Sequence, residues 1–182
     1  MRRLRVKAAI GVAVVGVVVT AAVAVAGDRH RSGFQTTLSS YEEFPPLSTP
    51  GAGSFQAALD RSGDEISYKL RFGRLESNAT QSHIHFENRT NNGPIVVFLC
   101  SNLGNGPVGT QACPAQGGTI RGTITAADVG PGGAAQGLAA GEFDELVSAM
   151  RSGAMYVNVH SVDRPGGEIR GQLDEDRDHD RD

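Results

Sequence analysis

The sequence predicts a mainly β domain: an antiparallel sandwich or barrel with one short helix. Three observations carry this prediction. Apolar residues in the middle of the 182-residue chain alternate with period two, which lines them up on one face of successive strands. Clusters of Gly, Asn, Asp and Pro separate these runs and read as turns. The composition, with 24 Gly, 8 Pro, 5% aromatic residues and no Trp, suits short strands joined by many turns better than a helical bundle.

Taken in order, residues 1–7 (MRRLRVK) form a basic head. Ala8 to Ala26 is an uncharged, mostly apolar run that ends in Ala24-Val25-Ala26, the small-x-small pattern of a signal-peptidase site. The expected reading is a secretory signal peptide over 1–26. The alternative is an N-terminal anchor over residues 8–26, because about nineteen helical residues reach roughly 28 Å, nearly a bilayer core. Both readings place the rest of the chain outside the cytoplasm, secreted or tethered, since positive charge stays on the inner side. Any contact with a membrane is expected only through that segment. Residues 27–33 read as a polar linker.

Strand faces follow: Phe55, Ala57 and Leu59; then Ile66, Tyr68, Leu70 and Phe72; then Ile84 and Phe86. Ile95, Val97 and Leu99 continue the pattern, then Ile120 and Ile124, then Met155, Val157 and Val159, and last Ile169 and Leu173. Ser62-Gly63-Asp64, Asn91-Asn92-Gly93-Pro94, Gly117-Gly118 and Pro165-Gly166-Gly167 supply turns. About eight strands result. The Gly-rich stretch 130–141 reads as a flexible loop. Phe143, Leu146, Val147 and Met150 fall at i, i+3, i+4 and i+7, which predicts a helix over about 140–152. Glu142, Asp144 and Glu145 open it, Arg151 closes it and Gly153 stops it. Residues 174–182 (DEDRDHDRD) hold no apolar side chain and read as a disordered acidic tail.

Charge narrows the function. The chain carries 17 basic and 20 acidic residues, a net −3. Without the four basic residues Arg2, Arg3, Arg5 and Lys7 the balance falls to 13 against 20, or −7. A nucleic-acid partner, which calls for a basic surface, is excluded. Cys100 and Cys113 are the two cysteines. In an exported protein, an even count across a flexible segment predicts one disulfide.

Chemistry concentrates on histidines. His83 and His85 flank Ile84, so strand alternation turns both to one face. His160 ends the strand Met155–His160 and shares a face with Tyr156 and Asn158, opposite Val157 and Val159. All three imidazoles therefore face away from the predicted core. If the two strands are neighbours, the three converge, and neutral imidazoles suit copper or zinc. Glu87, two residues past His85, is a candidate fourth ligand, and Asp163 and Glu168 are candidate acceptors behind the ligands. A hydrogen-bonded polar ladder, or a partner-contacting cluster, uses the same residues without a metal.

Enzyme signatures are missing: the chain has no Gly-x-Ser-x-Gly, no His-Glu-x-x-His and no phosphate-binding loop. Ser82 and His83 point to opposite strand faces and do not make a nucleophile–base pair. Glu42 and Glu43, also adjacent, are a poor acid–base pair.

Several ordered motifs resemble the CHRD (chordin) domain family. Thr37-Leu38-Ser39-Ser40-Tyr41-Glu42-Glu43-Phe44-Pro45-Pro46 is similar to the family's opening Leu-Ser-Gly-x-x-Glu-x-Pro-Pro, with Ser40 in place of Gly. Gly53-Ser54-Phe55, Ser82-His83-Ile84-His85 with Gly93-Pro94-Ile95-Val96-Val97, and Gly122-Thr123-Ile124 resemble its central blocks. Gly153–His160 and Pro165–Leu173 resemble its close. The resemblance covers 34–173 and implies an immunoglobulin-like, Greek-key β-barrel or sandwich. The family occurs repeated in chordin, a growth-factor binder, and as single exported copies in bacteria, for which it implies no established activity. A single copy without cysteine-rich modules gives no ground for growth-factor binding.

A fainter likeness is to copper–zinc superoxide dismutase. Its strand His-x-His, a later strand ending in Val-His and an Arg near the last strand are similar to His83, His85, His160 and Arg170, in that order. That likeness implies a role for Arg170 behind the ligands. No His lies between His85 and His160, so bridging and zinc-site histidines have no counterpart. The expectation is an exported binding module without catalysis, its ligand a metal, a protein or a cell-envelope component. The alternative is a copper-dependent redox protein using His83, His85 and His160.

Overall fold

Residues 33–176 are described by a computed structural model; the expected signal or anchor and all but the last residue of the linker lie outside the described residues. Period two is visible in the burial of the long strands. In β3 (Ile66–Gly73), Ile66, Tyr68, Leu70 and Phe72 are buried and the residues between them are not. β1 (Gly33–Ser39) and β2 (Ala52–Leu59) pair antiparallel across full register, from Gly33 opposite Ala58 to Ser39 opposite Ala52. Next come β4 (Ala79–Phe86), β5 (Ile95–Ser101), β6 (Gly118–Ile124), β7 (Met155–Ser161), β8 (Ile169–Gln172) and β9 (Asp174–Asp176).

The sheet runs β5-β4-β7-β8-β1-β2-β3-β6, with β9 added beside β1, and nearly closes into a barrel. The described pairs are antiparallel. Inside lies a core of Leu38, Phe55, Leu70, Ile84, Val157 and Ile169 with their neighbours. The open seam lies between the end strands β5 and β6. Tyr68 on β3 reaches across it, its hydroxyl donating to Leu99 O on β5 at 3.1 Å. Cys100 and Cys113 are disulfide-bonded, with Cα atoms 5.1 Å apart, and fold the loop after β5 back over the same seam.

The helix, α1, spans Phe143–Arg151 and buries Phe143, Leu146, Val147 and Met150, the four residues that predicted it. Two segments differ from expectation. Within the Gly-rich stretch, Pro131–Gln136 forms a 3-10 helix. Gly130 N–H donates to Val96 O at 2.8 Å, and a Cβ on Gly132 would sit 1.9 Å from Ile95 O. The glycines thus let this segment press against the free edge of β5, a contact that protects an edge strand. At the other end, Asp174–Asp176, where the disordered tail was expected to begin, pair as β9 with Gly33–Gln35. Strand pairing uses backbone groups and needs no apolar side chain. Residues 177–182 lie outside the described residues.

Strand β7 is buried along all seven residues, and β8 along all four. A strand buried on both sides lies between two layers. One side faces the apolar core. The other carries the polar residues of the candidate site.

Candidate functional site

The sheet register assembles the site. β4 and β7 are direct neighbours, with His83 opposite Asn158, His85 opposite Tyr156 and Gln81 opposite His160. His160 is therefore the diagonal neighbour of His83, within side-chain reach. Ligand-capable atoms of His83, His85 and His160 all lie within 4.8 Å of one another. His83 Nδ1 is 3.3 Å from His160 Nε2.

The imidazoles face away from the apolar core, as strand parity predicts, but not toward water. His83, His85 and His160 are 0%, 7% and 6% exposed. Loops close over them. His85 Nδ1–H donates to Gly93 O at 2.9 Å in the β4–β5 loop. His160 Nδ1–H donates to Pro165 O at 2.9 Å in the β7–β8 loop. His83 packs edge-on against Phe98, centroids 4.5 Å apart, and its Nε2 is buried without a hydrogen-bond partner among the described residues.

These bonds fix the tautomers of two rings. A carbonyl only accepts, so Nδ1 carries the proton in His85 and His160, and Nε2 carries the lone pair. Both Nε2 atoms point at Asn158 Oδ1, at 3.1 Å each. Burial holds the imidazoles neutral. It drives His83 far below the ordinary histidine range, with the neighbouring His160 and His85 adding to the effect. It lowers His85 to about 4 and lowers His160 as well. Three neutral nitrogen donors at this spacing are the chemistry that zinc and copper take.

The other sequence-predicted residues stand apart from this trio. Glu87 sits two residues past His85, but its carboxylate accepts from Asn88 N–H at 3.0 Å. Asp163 is exposed, its backbone N–H bonded to Ser77 Oγ at 2.9 Å. Glu168 is fully buried; it accepts from Glu76 N–H at 2.8 Å and from the Ser161 hydroxyl at 2.5 Å, tying two loops together. The acceptors that orient the imidazoles are backbone carbonyls. Arg170 is buried beside the site. It donates to Asn88 O at 2.8 Å and to Asn92 Oδ1 at 3.3 Å.

Tyr156, Asn158 and Glu43 also belong here. Parity had already put Tyr156 and Asn158 on the face of His160. Tyr156 stacks on His85, with centroids 4.7 Å apart and planes 1° from parallel, and its hydroxyl accepts from Gly93 N–H at 3.2 Å. The pattern Leu-Ser-Gly-x-x-Glu-x-Pro-Pro puts its Glu on Glu43 and leaves Glu42 at a variable position, and their environments are opposite. Glu42 is exposed and pairs with Arg89 at 2.6 Å. Glu43 is buried, and its Oε1 has no hydrogen-bond partner among the described residues. Burial pushes its carboxyl up to about 7, with Arg170 pulling the other way.

The profile of the CHRD domain matches residues 34–173. The match spans most of the chain, and the protein belongs to the CHRD domain family. No curated protein matches it, and neither does any solved structure. Among the described residues, no helix is long and apolar enough to cross a membrane.

Proposed function

We propose that this CHRD domain is an extracytoplasmic binding module that takes a zinc or copper ion at His83, His85 and His160, without catalysis. One observation carries the reading. Three neutral imidazoles on adjacent strands bring their donor atoms within 4.8 Å of one another, and two of them have the second nitrogen anchored to a carbonyl. Anchoring of that kind sets the tautomer and orientation of metal-bound histidines in general. A metal–nitrogen bond of about 2.0–2.1 Å puts tetrahedral ligands roughly 3.3–3.4 Å apart. The His83–His160 edge of 3.3 Å already has that length, and binding would contract the wider edges.

Burial favours holding an ion over turning one over. Catalytic metal sites keep a position open to substrate, whereas these rings are at most 7% exposed. The same burial weighs against superoxide chemistry. The basic head, the apolar run and the disulfide all support export, since such bonds persist in oxidising compartments.

The test is metal analysis of the full chain, exported and purified without a histidine tag, beside a His83→Ala/His85→Ala variant. The expected result is one equivalent of zinc or copper in the parent protein and none in the variant. Equal metal in both proteins, or none in either after incubation with both ions, would overturn the reading.

A further inference from the structure

The carboxamide of Asn158 occupies the gap between the imidazoles. Its Oδ1 lies 3.1 Å from His85 Nε2 and 3.1 Å from His160 Nε2. Both nitrogens present lone pairs, because their rings have committed the Nδ1 protons to Gly93 O and Pro165 O. An amide oxygen is also an acceptor. With the amide oxygen turned inward, three lone-pair-bearing atoms face one another among buried side chains, an arrangement that a cation between them satisfies, whereas the same amide turned over would donate Nδ2–H to both rings.

Building on the metal site proposed above, we infer that Asn158 Oδ1 is its fourth donor. The set is then His83 through Nδ1, His85 and His160 through Nε2, and Asn158 through oxygen. Its known edges, 3.3, 3.1 and 3.1 Å, are close to the roughly 3.3–3.4 Å of a four-coordinate centre. Asn158 is well placed to hold this position. It lies on β7 between β4 and β8, opposite His83 on one side and Arg170 on the other. Its backbone carbonyl accepts from the Ser82 hydroxyl at 2.6 Å.

A fourth ligand from the protein makes the site closed, of the structural kind. Three imidazoles and a neutral oxygen favour a divalent ion of the zinc class over copper(I), which prefers sulfur donors.

The test compares zinc titrations and cobalt(II) absorption spectra of the full chain with those of Asn158→Ala and Asn158→Asp, each checked for folding by circular dichroism. The parent protein should give the intense visible bands of four-coordinate cobalt. Asn158→Ala should weaken zinc binding by at least about 10-fold, the lower end of what even a group supporting a ligand contributes, and should change the cobalt spectrum. Asn158→Asp should keep both. Parent-like affinity and spectrum in Asn158→Ala would overturn the inference and leave the three-histidine site standing. So would a folded Asn158→Asp that has lost zinc while the parent binds it. Failure of the parent protein to bind zinc or cobalt at all would instead sink the underlying metal reading.

Discussion

The guanidinium of Arg170 lies over the ring of Tyr156, its Cζ 3.4 Å from the ring centroid. Tyr156 in turn stacks on His85. β8 and β4 flank β7 on opposite sides, so the tyrosine is held between cation and imidazole. The same guanidinium bonds Asn88 O and Asn92 Oδ1, while Gly93, one residue on, supplies the carbonyl that orients His85. One buried side chain thus supports both the stack and the loop that covers the histidines.

Arg170→Lys tests that linkage. Lysine keeps the charge but loses the planar fork that stacks on an aromatic ring and bonds two acceptors at once. Losing one charged hydrogen bond and part of a buried cation–π contact should cost about 2–4 kcal/mol in urea unfolding. Amide exchange at Gly93 should speed up as the loop loosens. Parent-like stability and exchange would show that the loop is held without Arg170.

Glu43 makes stability depend on pH in a direction opposite to that of an ordinary carboxylate. Its folded-state pKa is raised from 4.5 to about 7 by burial, so the folded state holds the proton more tightly than the unfolded chain. The stabilisation is fully present below pH 4.5 and is lost as pH rises through about 7. Relative to Glu43→Gln, which cannot ionise, the parent protein should lose on the order of 3 kcal/mol between pH 5 and pH 8. The histidines titrate in both proteins and cancel in the difference. Denaturation at several pH values reads it directly, and a difference independent of pH would show that Glu43 is not held protonated.

The legible parts of the sequence were those governed by local geometry. Ile66, Tyr68, Leu70 and Phe72 announced a strand because a strand alternates, and the same parity put His83, His85 and His160 on one face. Their burial was not legible. It comes from loops around Gly93 and Pro165, whose closure over β4 and β7 depends on tertiary contacts such as Arg170 with Asn88. Glu43 carried a partial signal, since it and not Glu42 takes the Glu place of Leu-Ser-Gly-x-x-Glu-x-Pro-Pro, but its burial comes from the fold. The strand Asp174–Asp176 left no apolar signature because backbone pairing with β1 creates it.

Gly167 marks a contact that a methyl group would break. Its φ is +127°, and an added Cβ would sit 2.6 Å from Glu43 Oε1. Gly167→Ala combines backbone strain with a clash against a buried carboxyl group and should destabilise by about 2 kcal/mol or more. Gly166→Ala is the matched control, since a Cβ there meets nothing within 4 Å, and should stay within about 0.5 kcal/mol of the parent. Equal effects of the two substitutions in thermal or urea unfolding would contradict this account.

The disulfide and the histidine cluster should separate experimentally: Cys100 lies opposite Ser82, next to His83, but both cysteines belong to the apolar core, from which the imidazoles face away. Cys100–Cys113 closes a loop with a sequence separation of 13 residues. Asn102 braces the loop, its side chain donating to Cys113 O at 3.1 Å and accepting from Cys113 N–H at 3.0 Å. Gln111 joins it to Tyr68 at the seam, with a bond of 2.9 Å. Constraining a loop of this size stabilises by about 3 kcal/mol in the chain-entropy model, so Cys100→Ala/Cys113→Ala should lower Tm by roughly 10 °C. The histidines stand on β4 and β7, and their orienting carbonyls belong to other loops, so metal content below the new Tm should not change. An unchanged Tm would show that the hydrogen bonds of Asn102 and Gln111 close the seam unaided. Loss of metal in the folded variant would instead show that the seam and the histidine layer are mechanically coupled through β5, where Phe98 packs on His83.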